Sequence, residues 1–301
     1  VPYTSGFALL YFNIGNLENK GLELGLNTVN TTKQVKWNSS FNIAFNRNKV
    51  LFLNTATLPS DPLLGINSWS SINEGMPIGT IYGYKTDGIL QLNEDPASVP
   101  RFTNYVPTYG DRKYVDKNDD KVLTEADKFI LGNANPDFSY GINNTLTYKA
   151  LSLSVFIQGV YGNEIVNFNK FSLESFDGNQ NNSTAALERW TPENPTNLYP
   201  RADASPKTSN TLSDHQVEDG SYLRVKDITL SYNLASVMSR AKVKINTFKV
   251  FVSAKNLLTI TNYSGYDPEV SRFINSPRNF GADLGTYPTT KIYSAGLTIV
   301  F

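Results

Sequence analysis

A period of two is what most restricts how this chain can fold. Leu22, Leu24 and Leu26 alternate with Glu23, Gly25 and Asn27, and Trp37, Phe41, Ile43 and Phe45 alternate with Asn38, Ser40, Asn42, Ala44 and Asn46. Neighbouring side chains of a strand point to opposite faces, so this pattern predicts strands with one apolar face. The same alternation runs through Tyr140, Ile142, Leu146 and Tyr148, and then through Leu153, Val155 and Ile157, with only Lys149 and Ala150 between the two runs. Further strands fit 221–233, 246–257 and 291–301, with weaker candidates at 7–12 and 78–85. A helical signal is confined to Ser183–Trp190, ended by Pro192.

The second face decides between two kinds of β protein. It is built from Asn, Ser, Thr and Gly, small and neutral, where the solvated face of a soluble sandwich more often carries Lys and Glu. The runs are about 10 to 13 residues, longer than the usual ~5–6 of globular strands and close to a tilted membrane strand. Together these predict an all-β chain, an antiparallel transmembrane β-barrel with apolar faces toward lipid and Asn/Ser faces toward a lumen. The pattern alone also permits a soluble calcium-stabilised β-domain that binds carbohydrate. No stretch approaches the ~18 apolar residues of a membrane-spanning helix.

Connection lengths extend the reading, because membrane barrels pair short turns on one side with long loops on the other. Residues 30–35, 149–150 and 234–245 are short; 86–137, 162–220 and 258–290 are long and are expected on the extracellular side. The segment 48–77 breaks this parity, and one unrecognised strand within 48–77 or 86–137 would restore it, for about ten strands. The chain starts at Val1, without a leader and inside a pattern, so residues 1–301 are expected to form part of one longer barrel domain.

Composition removes other functions. Lys and Arg number 27 against 27 Asp and Glu, so the basic footprint of a nucleic-acid binder is lacking and no nucleic-acid partner is expected. With no Cys and one His, thiol chemistry and cysteine or multi-histidine metal sites are unavailable, and any metal must be held by oxygen. One segment has such spacing: Asp116, Asn118, Asp120, the Val122 carbonyl, Thr124 and Asp127 occupy positions 1, 3, 5, 7, 9 and 12 of an EF-hand-like loop. It departs from that pattern in having Lys121 where Gly makes the sharp turn, and Asp127 in place of a longer Glu. A weak calcium site and a solvated acidic turn both fit; no cofactor is required.

Nothing in the sequence points to catalysis. His215 lies in a polar loop without a G-x-S-x-G pattern and reads as a surface histidine. The carboxylate pairs Glu218/Asp219 and Asp267/Glu269 read as loop or structural residues. Tyr105, Tyr109, Phe171, Phe176, Tyr263, Tyr266, Phe273 and Phe280 are loop aromatics, able to stack on sugar rings or peptide side chains but expected mostly to pack. Thr191–Pro206 reads as an extended, packed loop.

Several separate segments resemble one family. Asn13-Ile-Gly-Asn-Leu-Glu-Asn-Lys-Gly-Leu-Glu-Leu24 is similar to the N-x-G-N-x-x-N-K-G-x-E-L stretch of SusC/RagA-type TonB-linked outer-membrane proteins. The resemblance continues, in the family's order, through Gly83-Tyr-Lys-Thr-Asp-Gly-Ile89, Gly110-Asp111, Lys113-Tyr114-Val-Asp-Lys-Asn118 and Ile130-Leu-Gly-Asn-Ala-Asn-Pro136. Gln158-Gly-Val-Tyr-Gly-Asn163, Arg189-Trp-Thr-Pro-Glu-Asn194, Val217-Glu-Asp-Gly-Ser-Tyr-Leu-Arg224, Asn256-Leu-Leu-Thr259 and Tyr266-Asp-Pro-Glu269 complete it, before the terminal Phe301. The resemblance implies the C-terminal part of a 22-stranded barrel whose plug and TonB box lie upstream. It implies a nutrient importer of the bacterial outer membrane, not an enzyme, coupled through TonB to the inner-membrane proton gradient. It further implies a SusD-like surface lipoprotein as partner, and glycans or peptides as cargo.

Overall fold

The computed structural model describes residues 15–53, 69–70, 72–205, 211–235, 247–269 and 280–300. Its strands are, in chain order, β1 (Gly15–Thr32), β2 (Val35–Leu53), β3 (Thr80–Gly83), β4 (Thr86–Ile89), β5 (Arg112–Tyr114), β6 (Phe129–Asn133) and β7 (Phe138–Tyr148). There follow β8 (Leu151–Tyr161), β9 (Glu164–Asn167), β10 (Val217–Asp219), β11 (Tyr222–Asn233), β12 (Thr247–Thr261), β13 (Ala282–Asp283) and β14 (Ile292–Val300). One short helix, α1 (Phe168–Leu173), and a few 3₁₀ turns complete the described elements. The helical signal at Ser183–Trp190 is one of those turns, Thr184–Glu188, capped by the Ser183 hydroxyl.

Seven strands form one antiparallel sheet in the order β1-β2-β7-β8-β11-β12-β14. Their register lines up the alternating residues into one apolar face: Leu24 lies opposite Ile43, Ile43 opposite Tyr140, Ile142 opposite Ile157, Leu153 opposite Leu230, and Leu230 opposite Val252. Val252 continues to Ala295 on the last strand. This face is not a core. Leu22, Leu24 and Leu26 are 54–59% exposed and Leu297 62%. A soluble sandwich would cover these side chains with a second sheet; a barrel wall leaves them to lipid.

The opposite face carries Asn42, Asn143, Thr145, Ser152, Ser154, Thr229, Ser231, Ser253 and Ser294, as the alternation predicts. It is not uniformly small, because Phe156 and Phe251 also lie on it, opposite Asn143 and Gly296. A Cβ on Gly296 would enter the Phe251 ring, so glycine makes the room the aromatic side chain fills. On the apolar face Gly159 does the same beneath Tyr140.

Strand connections alternate strictly. Residues 33–34 join β1 to β2 and residues 149–150 join β7 to β8, with Lys149 at φ 53°. The intervening connections, 54–137, 162–221 and 262–291, are long. The expected break in parity therefore does not exist. The weak strand at 78–85 is only the four-residue β3, which pairs with β6 outside the large sheet, so 54–137 is a single long connection that needs no further crossing strand. The described residues contain seven crossing strands, not about ten. The candidate strand 7–12 and most of the connection 234–245 lie outside the described residues.

Those long connections fold together into a cap at one end of the sheet. Three small sheets build it: β9 between β10 and β13, β3 with β6, and β4 with β5. Here the burial rule of soluble proteins returns. Trp69, Ile81, Val166 and Ala282 form one apolar core, with Leu131, Phe168, Leu212 and Val217 packed against it. Tyr84, Tyr114 and Leu123 form another with Phe102. At about 25 cal/mol per Å² of apolar surface removed from water, these clusters, and not strand pairing alone, hold the cap together.

Candidate functional site

The motif segments of the sequence meet one another in the cap. Asp111, 1% exposed, accepts hydrogen bonds from Arg201 Nε (3.0 Å), the Thr108 amide (2.8 Å) and the Tyr105 hydroxyl (2.5 Å). Gly110 beside it has φ 86° and lies against Trp190, so no side chain fits there. Trp190 donates through Nε1 to Gln91 (3.0 Å), and the Arg201 amide donates to the Gly110 carbonyl (2.8 Å). Two motifs of the sequence, Gly110-Asp111 and Arg189–Asn194, are thus the two halves of one joint. Of the segment expected to be extended and packed, residues 191–205 are described: Thr191 and Asn194 close a turn by exchanging backbone hydrogen bonds, Pro200 is fully buried, and most of the other side chains are exposed.

Glu164 closes a similar joint. Its carboxylate accepts the Asn133 amide (2.7 Å) while Gly132 leaves room for its stem, and burial pushes its carboxyl above the usual range. Glu218 accepts hydrogen bonds from Asn167 and Ser264 and forms an ion pair with Lys170 (3.7 Å), tying β10 to β9 and to the segment after β12. Glu218 is therefore a structural tether, while Asp219 accepts the Ser221 amide within its own turn.

His215 corrects the sequence reading. Its side chain is 8% exposed, with Nε2 2.8 Å from Glu174 and the ring edge-on to Tyr199. Burial lowers its pKa; Arg112 and Lys170 push the same way and Glu174 opposes them. The sequence offered no sign of this burial, because the partners come from the residue that ends α1 and from the 184–203 segment.

The candidate metal loop is well ordered by its own hydrogen bonds. Asp116 accepts the amides of Asn118 (3.3 Å), Asp119 (2.8 Å) and Lys121 (2.7 Å). Asn118 donates to Asp120 (2.8 Å), and Asp120 accepts the Val122 amide (2.8 Å). Thr124 and Asp127 form a capping box around Glu125–Asp127. Asp127 is fully buried and its two oxygens accept the amides of Lys117 and Thr124. Burial alone would raise its pKa; these hydrogen bonds together bring it below the usual carboxylate range. Lys121 takes φ 65° in the position where glycine was expected, so the sharp turn forms without Gly. The structure brings Asp116, Asn118 and Asp120 together on an exposed limb and sets Asp127 beneath it. Among the described residues no three His, Asp or Glu side chains converge as a metal-binding group.

The densest charged cluster stands where the sheet meets the cap. Arg224, on the neutral face of β11, is 1% exposed. Its guanidinium donates to Asp267 (2.5 Å), Glu269 (2.6 Å), Thr259 (2.9 Å) and Thr289 (2.9 Å). Lys226 and Gln158 also reach Glu269, at 2.9 and 3.3 Å. Asp267 accepts from Thr289 as well, and these partners bring its pKa below the usual range although burial works against them. The pair Asp267/Glu269 is thereby committed to fastening the 262–291 connection onto the inner wall. Arg224 and Asp267 lie in two of the family-like motifs, Val217–Arg224 and Tyr266–Glu269; the opposite charges of these separate segments are the one sequence signal of their pairing.

The loop aromatics divide. Phe176 and Tyr263 are buried, Tyr263 donating to Asp283 (2.8 Å), and Phe280 packs over Gly79. Tyr266 and Tyr287 are each 81% exposed; Tyr287 was missed. Phe273 lies outside the described residues.

No protein-family model matches the chain. Two TonB-dependent receptors of Formosa agariphila, named P3 and P26, are 33% and 35% identical over the whole chain. The TonB-dependent receptor SusC of Bacteroides thetaiotaomicron is 24% identical, again over the whole chain. The chain spans only about 30% of the length of these relatives (30%, 31% and 28%). Among solved structures, that of the RagAB peptide transporter superposes with a TM-score of 0.75 over 99% of this chain and 31% of the other, at 24% identity. The seven-stranded wall, its loop cap and the relatives that match along its full length make this chain a portion of the barrel of the SusC/RagA type of TonB-dependent receptor.

Proposed function

We propose that the chain is part of an outer-membrane nutrient importer, energised through TonB and working with a SusD-like surface lipoprotein to take up glycans or peptides. The observation that carries this reading is the exposed apolar belt. A strand of 11 residues such as β8, rising about 3.3 Å per residue and tilted about 40°, crosses about 25–28 Å, the height of an outer-membrane apolar band. Aromatic side chains mark both edges of that belt: Trp37, Tyr148 and Tyr232 toward the short turns, and Phe45, Phe138, Tyr140 and Tyr161 toward the cap. Trp and Tyr rings at such levels suit the headgroup boundary. In this reading the connections 54–137, 162–221 and 262–291 face outward, and the neutral wall of Asn, Ser and Thr lines the path of the cargo. TonB is engaged by a part of the receptor beyond these residues. The relatives are named as receptors and transporters, which supports a non-enzymatic role.

Two measurements test it. The whole receptor should stay monodisperse only in detergent or lipid, and cells should lose uptake of its cargo when either the receptor or TonB is deleted. Uptake that survives loss of TonB overturns the reading.

A calcium ion in the 116–127 loop is a subsidiary proposal. Asp116, Asn118, Asp120, the Val122 carbonyl and Thr124 would supply oxygens, with Asp127 giving up an amide to join them. The expected affinity is about 10⁻⁴–10⁻³ M, as in extracellular calcium modules. Calorimetry of the receptor showing no heat of binding at millimolar calcium would discard it.

A further inference from the structure

Charge divides along the chain as burial does. The segments 24–46, 138–163, 228–266 and 285–301, which hold most of the wall, contain nine Lys and Arg and no Asp or Glu. Because the whole chain is neutral, the remaining segments hold nine more acids than bases. The ion pairs of the described residues lie in the cap or at the cap end of the sheet, as with Lys20 and Glu18 or Arg47 and Asp137. At the opposite end four exposed lysines have no ion pair among the described residues. Lys33 and Lys149 stand in the two-residue turns, Lys36 lies opposite Thr147, and Lys249 lies opposite Asn233. In sequence, the connection between β11 and β12 adds Arg240, Lys242 and Lys244, again with no acid. Like charges gathered on one rim repel one another, and an anion from outside the chain relieves that repulsion.

The surroundings of the lysines indicate which anion. The Lys149 ammonium lies 5.3 Å from the centre of the Tyr148 ring. Tyr148 is on the apolar face of the sheet, opposite Val35 and Leu151, with Tyr232 beyond Leu151 and Trp37 one rung away. Such rings sit at the headgroup boundary, and the long stem of a lysine lets its charge reach the same level. Lys36 and Lys149 line one cleft of about 440 Å³ together with Gln34, Thr147 and Tyr148. Two cations beside an amide and a hydroxyl suit a phosphate diester that carries free hydroxyls. Next to the cleft, Val35, Trp37, Leu146 and Leu151 are 36–41% exposed, an apolar surface for acyl chains. An anionic phospholipid supplies both halves of this complement. A zwitterionic one brings its own cation to the lysines, and an anionic polymer in water leaves the apolar half uncovered.

We infer that the short-turn rim of the wall binds anionic phospholipid of the periplasmic leaflet, phosphatidylglycerol in chemical class, with a headgroup held between Lys36 and Lys149. This rests on the orientation proposed above, short turns toward the periplasm, and adds a ligand that is not cargo. Trp37 supplies a local probe. The whole receptor would be reconstituted in phosphatidylcholine vesicles containing a minor share of either brominated phosphatidylglycerol or brominated phosphatidylcholine. The part of the tryptophan emission that disappears in Trp37→Phe then reports which lipid lies at the rim. The expected result is a preference for phosphatidylglycerol of about 5-fold or more, falling toward none at about 1 M salt. Lys33→Gln/Lys36→Gln/Lys149→Gln/Lys249→Gln should abolish it, and Lys20→Gln/Lys49→Gln at the cap end should leave it unchanged. The salt series uses the unaltered receptor, so it decides even if the fourfold variant fails to fold. Equal quenching by the two lipids overturns the proposal, as does a preference that persists at high salt or in the folded fourfold variant. A fourfold variant that keeps the lipid preference but no longer cosediments with purified cell-wall sacculi would assign the lysines to the wall polymer, and also overturns it. Labelling of Lys149 on intact cells by a membrane-impermeant amine reagent would overturn the orientation and this proposal together. Absence of the lipid preference with TonB-dependent uptake intact would remove only this one.

Discussion

The sheet and the cap follow opposite burial rules within one chain. In the sheet, Leu22, Leu24, Leu26 and Leu297 point away from the protein, and the other face is built mostly of Asn, Ser and Thr. In the cap, Ile81 and Val166 are wholly buried, and buried Asp111, Asp127, Asp267 and Asp283 each accept several hydrogen bonds. A membrane wall needs no core of its own, because lipid covers its apolar face; loops standing in water must build one. The difference shows where stability and specificity are stored. The wall depends on continuous backbone pairing and on an uncharged belt of Leu, Ile and Val side chains on its outer face, while the cap depends on side chains that meet across long stretches of sequence.

Each substitution that follows breaks or sharpens that contrast. The largest effect is expected where the two regions join. Arg224→Ala strands Asp267 without its cation, and loss of one partner of a buried pair costs about 3–5 kcal/mol. Limited proteolysis of the receptor in detergent should then cut the 262–291 connection while the sheet persists.

A matched pair compares the regions directly. Ile81→Ala empties a site in the cap core and should destabilise the cap by about 2–5 kcal/mol, whereas Leu24→Ala on the belt leaves no cavity and should cost less than half as much. On the same belt Leu24→Arg should cost about 2–4 kcal/mol if that residue faces the middle of the bilayer, and little if water covers it. Denaturant titration in lipid vesicles ranks all three; an Ile81→Ala effect no larger than Leu24→Ala would erase the contrast.

The pH dependence should belong to the cap. His215 has its pKa lowered by burial, so the unfolded chain binds a proton that the folded cap refuses. Its contribution is complete above about pH 6.5 and is lost as pH falls from there toward the folded value. Asp127 and Asp267, with lowered pKa values, contribute above about pH 4 and lose that contribution as pH falls through their folded values. Proteolysis of the cap should therefore accelerate first below pH 6.5, and His215→Gln should flatten that first step alone.

The smallest effect concerns the 116–127 loop. Lys121 adopts φ 65°, which costs an L-residue roughly 1–2 kcal/mol, so Lys121→Gly should stabilise the loop by up to about 1 kcal/mol after its own entropy loss. Thermal denaturation with and without calcium measures it, and an unchanged midpoint would mean that the turn is not strained.

Much of the wall was legible because alternation is a local signal. The stretches 37–46 and 140–148 lie within β2 and β7 with the apolar parity assigned to each, and 221–233 coincides with β11 but for its first residue. Phe156 and Phe251 escaped the rule, since their room on the inner face comes from glycine or a small side chain on a neighbouring strand. The candidate strand at 78–85 is the short β3 of the cap and not a strand of the wall: Ile81 is buried by Trp69, Val166 and Ala282. His215 and Tyr287 show the complementary failure, one buried and one exposed without any local cue.

The sequence by itself determined most of the wall: where most of its strands run, which face is apolar, and that the inner lining is rich in Asn, Ser and Thr. These follow from side chains one and two residues apart. Only the tertiary structure decided the cap, because its contacts join distant residues, Thr86 with Asp214 across 128 positions and Arg224 with Asp267 across 43. No periodicity encodes such pairs. They exist because buried carboxylates and amides must find partners once the loops exclude water, and the loops exclude water only when all of them are folded together.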